Sequence, residues 1–389
     1  MKISTYLNKL SDLALYKKYP ISDVILGAKE LSRTGELTLH DLNSWPNKCW
    51  DAGIRPILEW DVLMSENSFN KCAEFLKHVH LNHFFAVRVQ DPGAINYILE
   101  NYTELKIQLV LETGNHNFKS IETWVQLLGK RLERVILSIE LPKATLKDYL
   151  QKLNAMGVRS EILGLGKVLL FYTPRNLLSP LWSGKEEKIE ALATGEDTPH
   201  RNFPVMENFH GTFMYNTKDQ FLLDHLEELS EMGLSFLRLD LRFDGYLEVL
   251  PKIGGLFKHF DSELVQRIKK LYPRKISKGF YKANKTDVLF KKLKNKNIGK
   301  GQGLYLGDVI DVRKKKLMGI RFNSTNMELH PGDYLEIRTP EGKVKNIQVK
   351  ELLDSALSPM EKAISGNIFF MAHVGGVSVR SRIFKEDRI

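Results

Sequence analysis

Cysteine is nearly absent: Cys49 and Cys72 are the only two in 389 residues. Two thiols are too few for a disulfide framework or a four-thiolate metal site, and a reduced, cytoplasmic setting follows. No run reaches eighteen consecutive apolar residues, which argues against a membrane-spanning helix. The N-terminal MKISTYLNKLSDLALYKKYP scatters charge through its apolar positions, unlike a secretory signal. There is no glycine-rich dinucleotide fingerprint after the first apolar run, no Gly-x-Ser-x-Gly elbow and no His-Glu-x-x-His helix. Acidic residues are outnumbered, 47 against 57 Lys and Arg, giving a formal charge of +10. That excess suits a polyanionic partner such as RNA, and equally suits a solvated lysine surface.

Apolar residues make up 43% of the chain, enough for one large barrel and an appended module. Up to about residue 250, short apolar runs alternate with stretches of helical spacing. DVILG (23–27) reads as a first strand, then RPILEW (55–60), HFFAVRVQ (83–90), IQLVLE (107–112), RVILSIE (134–140), SEILGL (160–165) and LSFLRLDLR (234–242). LHDLNSWPNKCWDAG, SFNKCAEFLKHVH and FLLDHLEELSEMG have helical periodicity. Runs apolar almost throughout fit a parallel sheet covered on both faces, and the expected fold is an α/β, TIM-like (βα) barrel.

Barrel sites are built at the carboxyl ends of strands, and polar residues gather there: Glu59, Gln90, Asp91, Glu112, Asn115, Asn117 and Glu140. Each alone reads first as a turn or helix cap, and their shared position is what makes them candidates. In LRLDLR, Arg238, Asp240 and Arg242 share one face of an extended strand. Charge at that period inside a barrel is either an internal ion-pair ladder or an anion-binding or catalytic group. The cluster Tyr172, Thr173, Arg175 and Asn176 follows the glycines Gly164 and Gly166. Arg175 would add a guanidinium for a carboxylate or phosphate. His210 is a candidate acid or base, or a turn residue. Lys218 and Asp219 precede a helix expected from Gln220.

From Pro273 to Lys300 the composition turns strongly basic, with Asp287 as its one acid. The segment reads as a solvated connector, or as a phosphate-tracking arm with Phe280, Tyr281 and Phe290 interleaved. After Gly301 short strands separated by Pro331-Gly332-Asp333 and Glu341-Gly342 predict a small all-β barrel. The expected division is a barrel domain at 1–272, a connector at 273–300 and a β-barrel at 301–389.

The stretch EILGLGKVLLFYTPRNLLS (161–179) with HGTFMYNTKD (210–219), the QDPG turn, Glu140 in SIEL and LRLDLR together resemble the U32 peptidase (collagenase-like) family. The phrase LHPGDYLEI resembles its C-terminal β-barrel module. The resemblance implies His210, Asp240 and Glu140 as catalytic candidates, and Arg175, Tyr172, Arg238, Arg242, Asn115 and Lys218 as binding candidates. Relatives place iron–sulfur cysteines where this chain has Leu169 and Asn176, so no cluster and no metal site is expected here. The resemblance further implies a hydroxylation factor acting on transfer or ribosomal RNA, or on ubiquinone precursors, with prephenate as the suspected oxygen-donor partner. The implied function is a cluster-free RNA-modification factor, or a subunit pairing with a cysteine-bearing relative. The alternative is the peptidase of the family name.

Overall fold

The structure, a computed structural model, describes residues 1–112, 117–181, 184, 187–194, 202–282, 303–324, 327–340 and 342–385. Asn115, His200, Phe290 and the Lys291–Lys300 arm lie outside these residues. The chain divides into two compact units, Met1–Asn284 and Lys285–Ile389.

In unit one, strands β1 (Lys2–Tyr6), β2 (Ile21–Gly27), β3 (Arg55–Trp60), β4 (Ala86–Val89), β5 (Lys106–Val110), β6 (Leu132–Ile136) and β7 (Arg159–Gly166) are neighbours in space as in sequence. An eighth, β13 (Phe236–Leu239), runs parallel to both β7 and β1 and closes the ring. This is a TIM-like barrel. Its outer helices are α1 (Leu13–Tyr16), α2 (Leu39–Asp51), α3 (Glu66–Leu76), α4 (Pro92–Asn101), α5 (Phe118–Leu128), α6 (Lys143–Ala155), α7 (Leu226–Glu231), α8 (Tyr246–Lys258) and α9 (Ser262–Leu271). Their apolar stripes, including Leu42, Leu76, Ile98, Leu150 and Leu250, are fully buried against the outward residues Val24, Leu26, Leu58, Val87 and Leu109. Several polar residues at strand ends start these helices. Asp91 accepts from the Ala94 amide and Asn117 from the Ser120 amide, and Thr38 forms a capping box with Asp41.

The structure corrects the strand reading at three points. KISTY forms a first strand before the one expected at 23–27; its polar Ser4 and Thr5 are buried in the barrel, so it lacks an apolar run. The last barrel strand ends at Leu239, so Arg238 lies within it while Asp240 and Arg242 lie beyond. No helix begins at Gln220. Asp219–Phe221 is β12, antiparallel to β7, and the Asp219 carboxylate accepts from Tyr272 and Arg274 at 2.5 and 2.6 Å.

The barrel interior is charged. Arg134, fully buried, bonds Asp23, Glu133 and Glu161, the last two each at 2.7 Å. Arg55 reaches Asp23 at 2.7 Å, and Arg88 reaches Glu161 at 2.8 Å and Gln108 at 2.9 Å. Burial would raise the Glu161 carboxyl, but Arg88, Arg134 and Arg238 outweigh it and hold it at about 2.

Between β7 and β13 the chain inserts an antiparallel sheet of β8 (Leu169–Thr173), β9 (Ile189–Ala193), β10 (Phe203–Asn208) and β11 (Gly211–Tyr215), in the order β8-β11-β10-β9. The strand β14 (Ile276–Ser277) pairs with β12.

Unit two is an antiparallel half-barrel. Its six-stranded sheet has the order β19 (Val344–Gln348), β18 (Tyr334–Arg338), β22 (Arg382–Lys385), β15 (Leu304–Arg313), β16 (Leu317–Phe322), β21 (Ile368–Ala372). β17 (Glu328–Leu329) and β20 (Ala363–Ile364) make a small second sheet. Met318, Ile320, Phe322, Leu335, Ile337 and Phe369 fill its separate core. Among the described residues no helix is long and apolar enough to cross a membrane.

Candidate functional site

A cleft of about 940 Å³ opens at the carboxyl ends of the barrel strands. Its floor and walls carry three arginines, and each is bonded to a carboxylate. Arg238, on β13, pairs with Glu112 beyond β5. Arg242 grips Asp240 with two bonds, Nε to Oδ1 at 2.8 Å and a terminal nitrogen to Oδ2 at 2.9 Å. Its remaining terminal nitrogen donates to Thr34 at 2.8 Å, and its guanidinium lies 3.5 Å from the centre of the Tyr6 ring. Arg33 holds Asp61 through Nε at 2.6 Å and through its backbone amide at 2.9 Å. Burial opposes ionisation of Asp240, but Arg242 prevails and lowers its carboxyl. Behind this layer, burial and the Asp61 charge push the Glu59 carboxyl up, while Ser32 donates to it at 2.5 Å.

Among the donors lining the same cleft, the Tyr6 and Tyr215 hydroxyls and the exposed Lys167 and Lys9 ammoniums make no hydrogen bond or ion pair with the described residues. Burial, then the Glu59 charge, pushes the Tyr6 phenol well up; burial pushes Tyr215 up to about 12. Both therefore stay protonated near neutral pH and can donate. Desolvation and the nearby Arg274 lower the Lys167 ammonium, which lies 5.5 Å from the centre of the Tyr215 ring. The arrangement suits a ligand rich in acceptor oxygens.

The glycines of the signature stretch make this cleft. Gly166 has φ +145°, and a Cβ there would sit 2.7 Å from Asp240 Cβ. A Cβ on Gly164 would lie 2.4 Å from the Leu237 side chain. Glycine at both positions lets β7 and the end of β13 approach closely enough to set Asp240 beside Lys167.

Of the residues expected from the sequence, Glu112, Arg238, Asp240 and Arg242 line the cleft. His210, Tyr172, Arg175, Lys218 and Glu140 do not. His210 Nε2 donates to the Lys29 carbonyl at 2.7 Å, and burial lowers its pKa, so it fastens the inserted sheet to the loop after β2. The Tyr172 hydroxyl lies 3.1 Å from the carbonyls of Leu63 and His210, and its ring stacks on Phe213 at 4.7 Å. Arg175 is exposed in a turn, Lys218 is exposed, and Glu140 is half-buried on the loop beyond β6. Tyr6, Arg33, Asp61, Lys167 and Tyr215 escaped the sequence reading. Lys167 could have been found as the first polar residue after Gly-Leu-Gly; Tyr6 was hidden with its unrecognised strand.

The two positions where relatives carry cysteine fall at Leu169, on β8 and in the cleft wall, and at Asn176, in an exposed turn. Cys49 and Cys72 are buried on α2 and α3, where burial raises their thiols to about 12 and about 11. A thiolate-held cluster does not fit this donor set. No group of three or more His, Cys, Asp or Glu able to hold a metal occurs among the described residues.

The model of peptidase family U32 matches residues 9–289. This chain belongs to the U32 peptidase family. Among its U32 relatives, tRNA hydroxylation protein P of Escherichia coli (strain K12) is 23% identical over 316 residues, 67% of this chain and 68% of that one. The tRNA hydroxylation protein P2 of Bacillus subtilis (strain 168) is 22% identical over 274 residues, covering 64% and 87%. Among solved structures, a U32 peptidase matches with TM-score 0.31 and 10% identity over 43% of this chain and 70% of that one. An HpcH/HpaI aldolase from Desulfitobacterium hafniense matches with TM-score 0.33 and 10% identity, covering 70% and 94%. The U32 assignment rests on the family match, and the barrel on its own closed strand order.

Proposed function

We propose that this U32 protein is an RNA-modification factor of the tRNA-hydroxylation type. Its cleft takes an RNA nucleotide together with a small, prephenate-like carboxylate, and it works without an iron–sulfur cluster of its own. The observation that carries the reading is the trio Tyr6, Tyr215 and Lys167. These donors have no partner among the described residues and sit in a cleft whose arginines are already neutralised. Carboxylate, phosphate and nucleobase carbonyls are the acceptors such a set recognises. The names of the relatives point the same way. Asp240 and Arg242 are assigned a positioning role, since their mutual bidentate pair leaves Arg242 no terminal nitrogen free and keeps Asp240 ionised.

Peptide hydrolysis gains little from this geometry. His210 is spent on a backbone carbonyl outside the cleft, and Asp240 is held by Arg242. Without cluster ligands, oxygen chemistry falls to a co-reactant or to a cysteine-bearing partner subunit.

Mass spectrometry of nucleosides from a strain lacking the gene tests the reading. Loss of a hydroxylated tRNA nucleoside is expected, restored by the wild-type gene and not by Lys167→Met. An unchanged nucleoside profile, with cleavage of denatured protein by the purified chain, would replace this reading with the peptidase one.

A further inference from the structure

Unit two carries its positive charge unevenly. The turn joining β15 to β16 reads Lys314-Lys315-Lys316 and is fully exposed. Strand register places two further connections at the same end of the sheet. Arg313 pairs with Leu317 and Leu317 with Ala372, while Arg338 pairs with both Val344 and Arg382. The segment from His373 to Ser381 therefore starts at the lysine turn and runs along this end of the sheet to Val309, whose carbonyl accepts from the Arg380 amide; the β18–β19 turn follows beyond Arg338, so exposed Arg380 and Lys343 extend the same end. Lys345 reaches the Gly376 turn with its Cε. None of these six cations pairs with a described carboxylate, and Asp311 nearby is bound to Arg313 at 3.6 Å. Elsewhere in the unit, Lys362 is neutralised by Glu328 at 2.6 Å and Lys385 by Asp333 at 2.7 Å, while Lys350 after β19 stands alone among the described residues.

The lysine turn is also built rigidly. Lys315 has φ 63°, a conformation glycine or asparagine would adopt more easily. Its amide donates to His373 Nδ1 at 3.2 Å, and the His373 amide donates to the Lys316 carbonyl at 3.1 Å. Charge is thus kept where backbone energy favours a different residue. Across six strands spaced about 4.8 Å apart the cationic rim runs roughly 24 Å, the reach of several consecutive phosphates. No Phe, Tyr or Trp lies on the described residues of these connections, and the His373 ring is engaged by the Lys315 amide, so the rim suits a backbone and not bases.

We infer that this end of the unit-two sheet is a sequence-independent contact for the phosphate backbone of RNA. The inference rests on the RNA reading of the cleft and adds a second, separate point of attachment. Full-length protein is titrated onto a labelled, folded tRNA transcript by fluorescence anisotropy across a KCl series. The double variants Lys314→Glu/Lys316→Glu and Lys343→Glu/Arg380→Glu are compared with wild type, and thermal melts report folding. Each pair is expected to lower affinity at least tenfold at 100 mM salt. Each should also flatten the slope of log affinity against log salt by about 2, one per lost phosphate contact. Because the pairs lie on different turns, either one that folds decides. RNA binding by wild type with unchanged affinity and slope in the folded variants overturns the inference and leaves the RNA reading intact. Absence of any RNA binding by wild type removes both. Loss of binding to phosphatidylserine vesicles with RNA affinity unchanged overturns it in favour of a lipid surface.

Discussion

An ammonium or phenol with no internal partner can bind a ligand without first breaking a bond, whereas a guanidinium gripped by a carboxylate cannot. Lys167→Met should therefore weaken binding of an anionic ligand at the cleft about tenfold or more, yet leave urea stability within about 0.5 kcal/mol. Isothermal titration with a small carboxylate and denaturant melts check the two halves separately. Arg242→Met should behave differently. It strands the Asp240 carboxylate, largely hidden from water, and removes the cation over Tyr6. A stability loss of about 2–4 kcal/mol is expected, with the Asp240 carboxyl drifting upward. Gly166→Ala combines a strained φ with a clash against Asp240 Cβ. It should cost about 1–3 kcal/mol and weaken ligand binding in step, as the Asp240–Arg242 pair is pushed from the Lys167 side.

The inserted sheet owes its shape near the cleft to one carboxylate. Glu207, buried on β10, accepts from the Leu178 and Ser179 amides at 2.7 and 2.8 Å, from Thr212 Oγ1 at 2.6 Å and from Ser179 Oγ. Burial opposes its charge, but these donors hold its carboxyl at about 2, against an ordinary 4.5. The sign follows: Glu207 adds stability in full above about pH 4.5, and that contribution is lost as pH falls towards 2. Glu207→Gln has only one carbonyl oxygen for four donors. It should speed amide exchange in the 177–179 turn by about tenfold or more near neutral pH, which hydrogen-exchange mass spectrometry would read.

Elements of this kind also mark where the sequence was legible. The barrel strands β2 to β7 announced themselves by apolar runs between turns, and the helices by their spacing and caps. The strand β1 did not, because Ser4 faces the charged interior beside Asp23 and Arg238 and Thr5 is polar on the helix side, which together break its hydrophobic signal. HGTFMYNTKD reads as a polar segment ahead of a helix at Gln220, whereas its first half forms β11 and long-range pairing with β7 makes Asp219–Phe221 a strand. In the cleft, Arg238, Asp240 and Arg242 could be read from LRLDLR. That Arg242 turns back on Asp240 could not, since it depends on where β13 ends.

At the scale of the whole barrel, stability and acidity are linked through the interior ion network. Glu161, held at about 2 against an ordinary 4.5, contributes stability that is intact above about pH 4.5 and is lost on acidification towards 2. Denaturant melts at pH 7 and pH 3 should show a large loss in wild type and a smaller one in Glu161→Gln, which starts less stable. Arg134→Met leaves Asp23, Glu133 and Glu161 facing one another without their shared cation, and a loss of about 3–5 kcal/mol is expected. The network also acts as a proofreader of assembly. Its charges come from β2, β3, β4, β6, β7 and β13, and neighbouring residues on a strand point to opposite sides. A strand that docks one residue out of step sends its charge into the apolar layer beneath the helices and leaves the opposing charge unanswered. Wrong alignments are thus rejected by electrostatics, where an all-aliphatic interior would have accepted them.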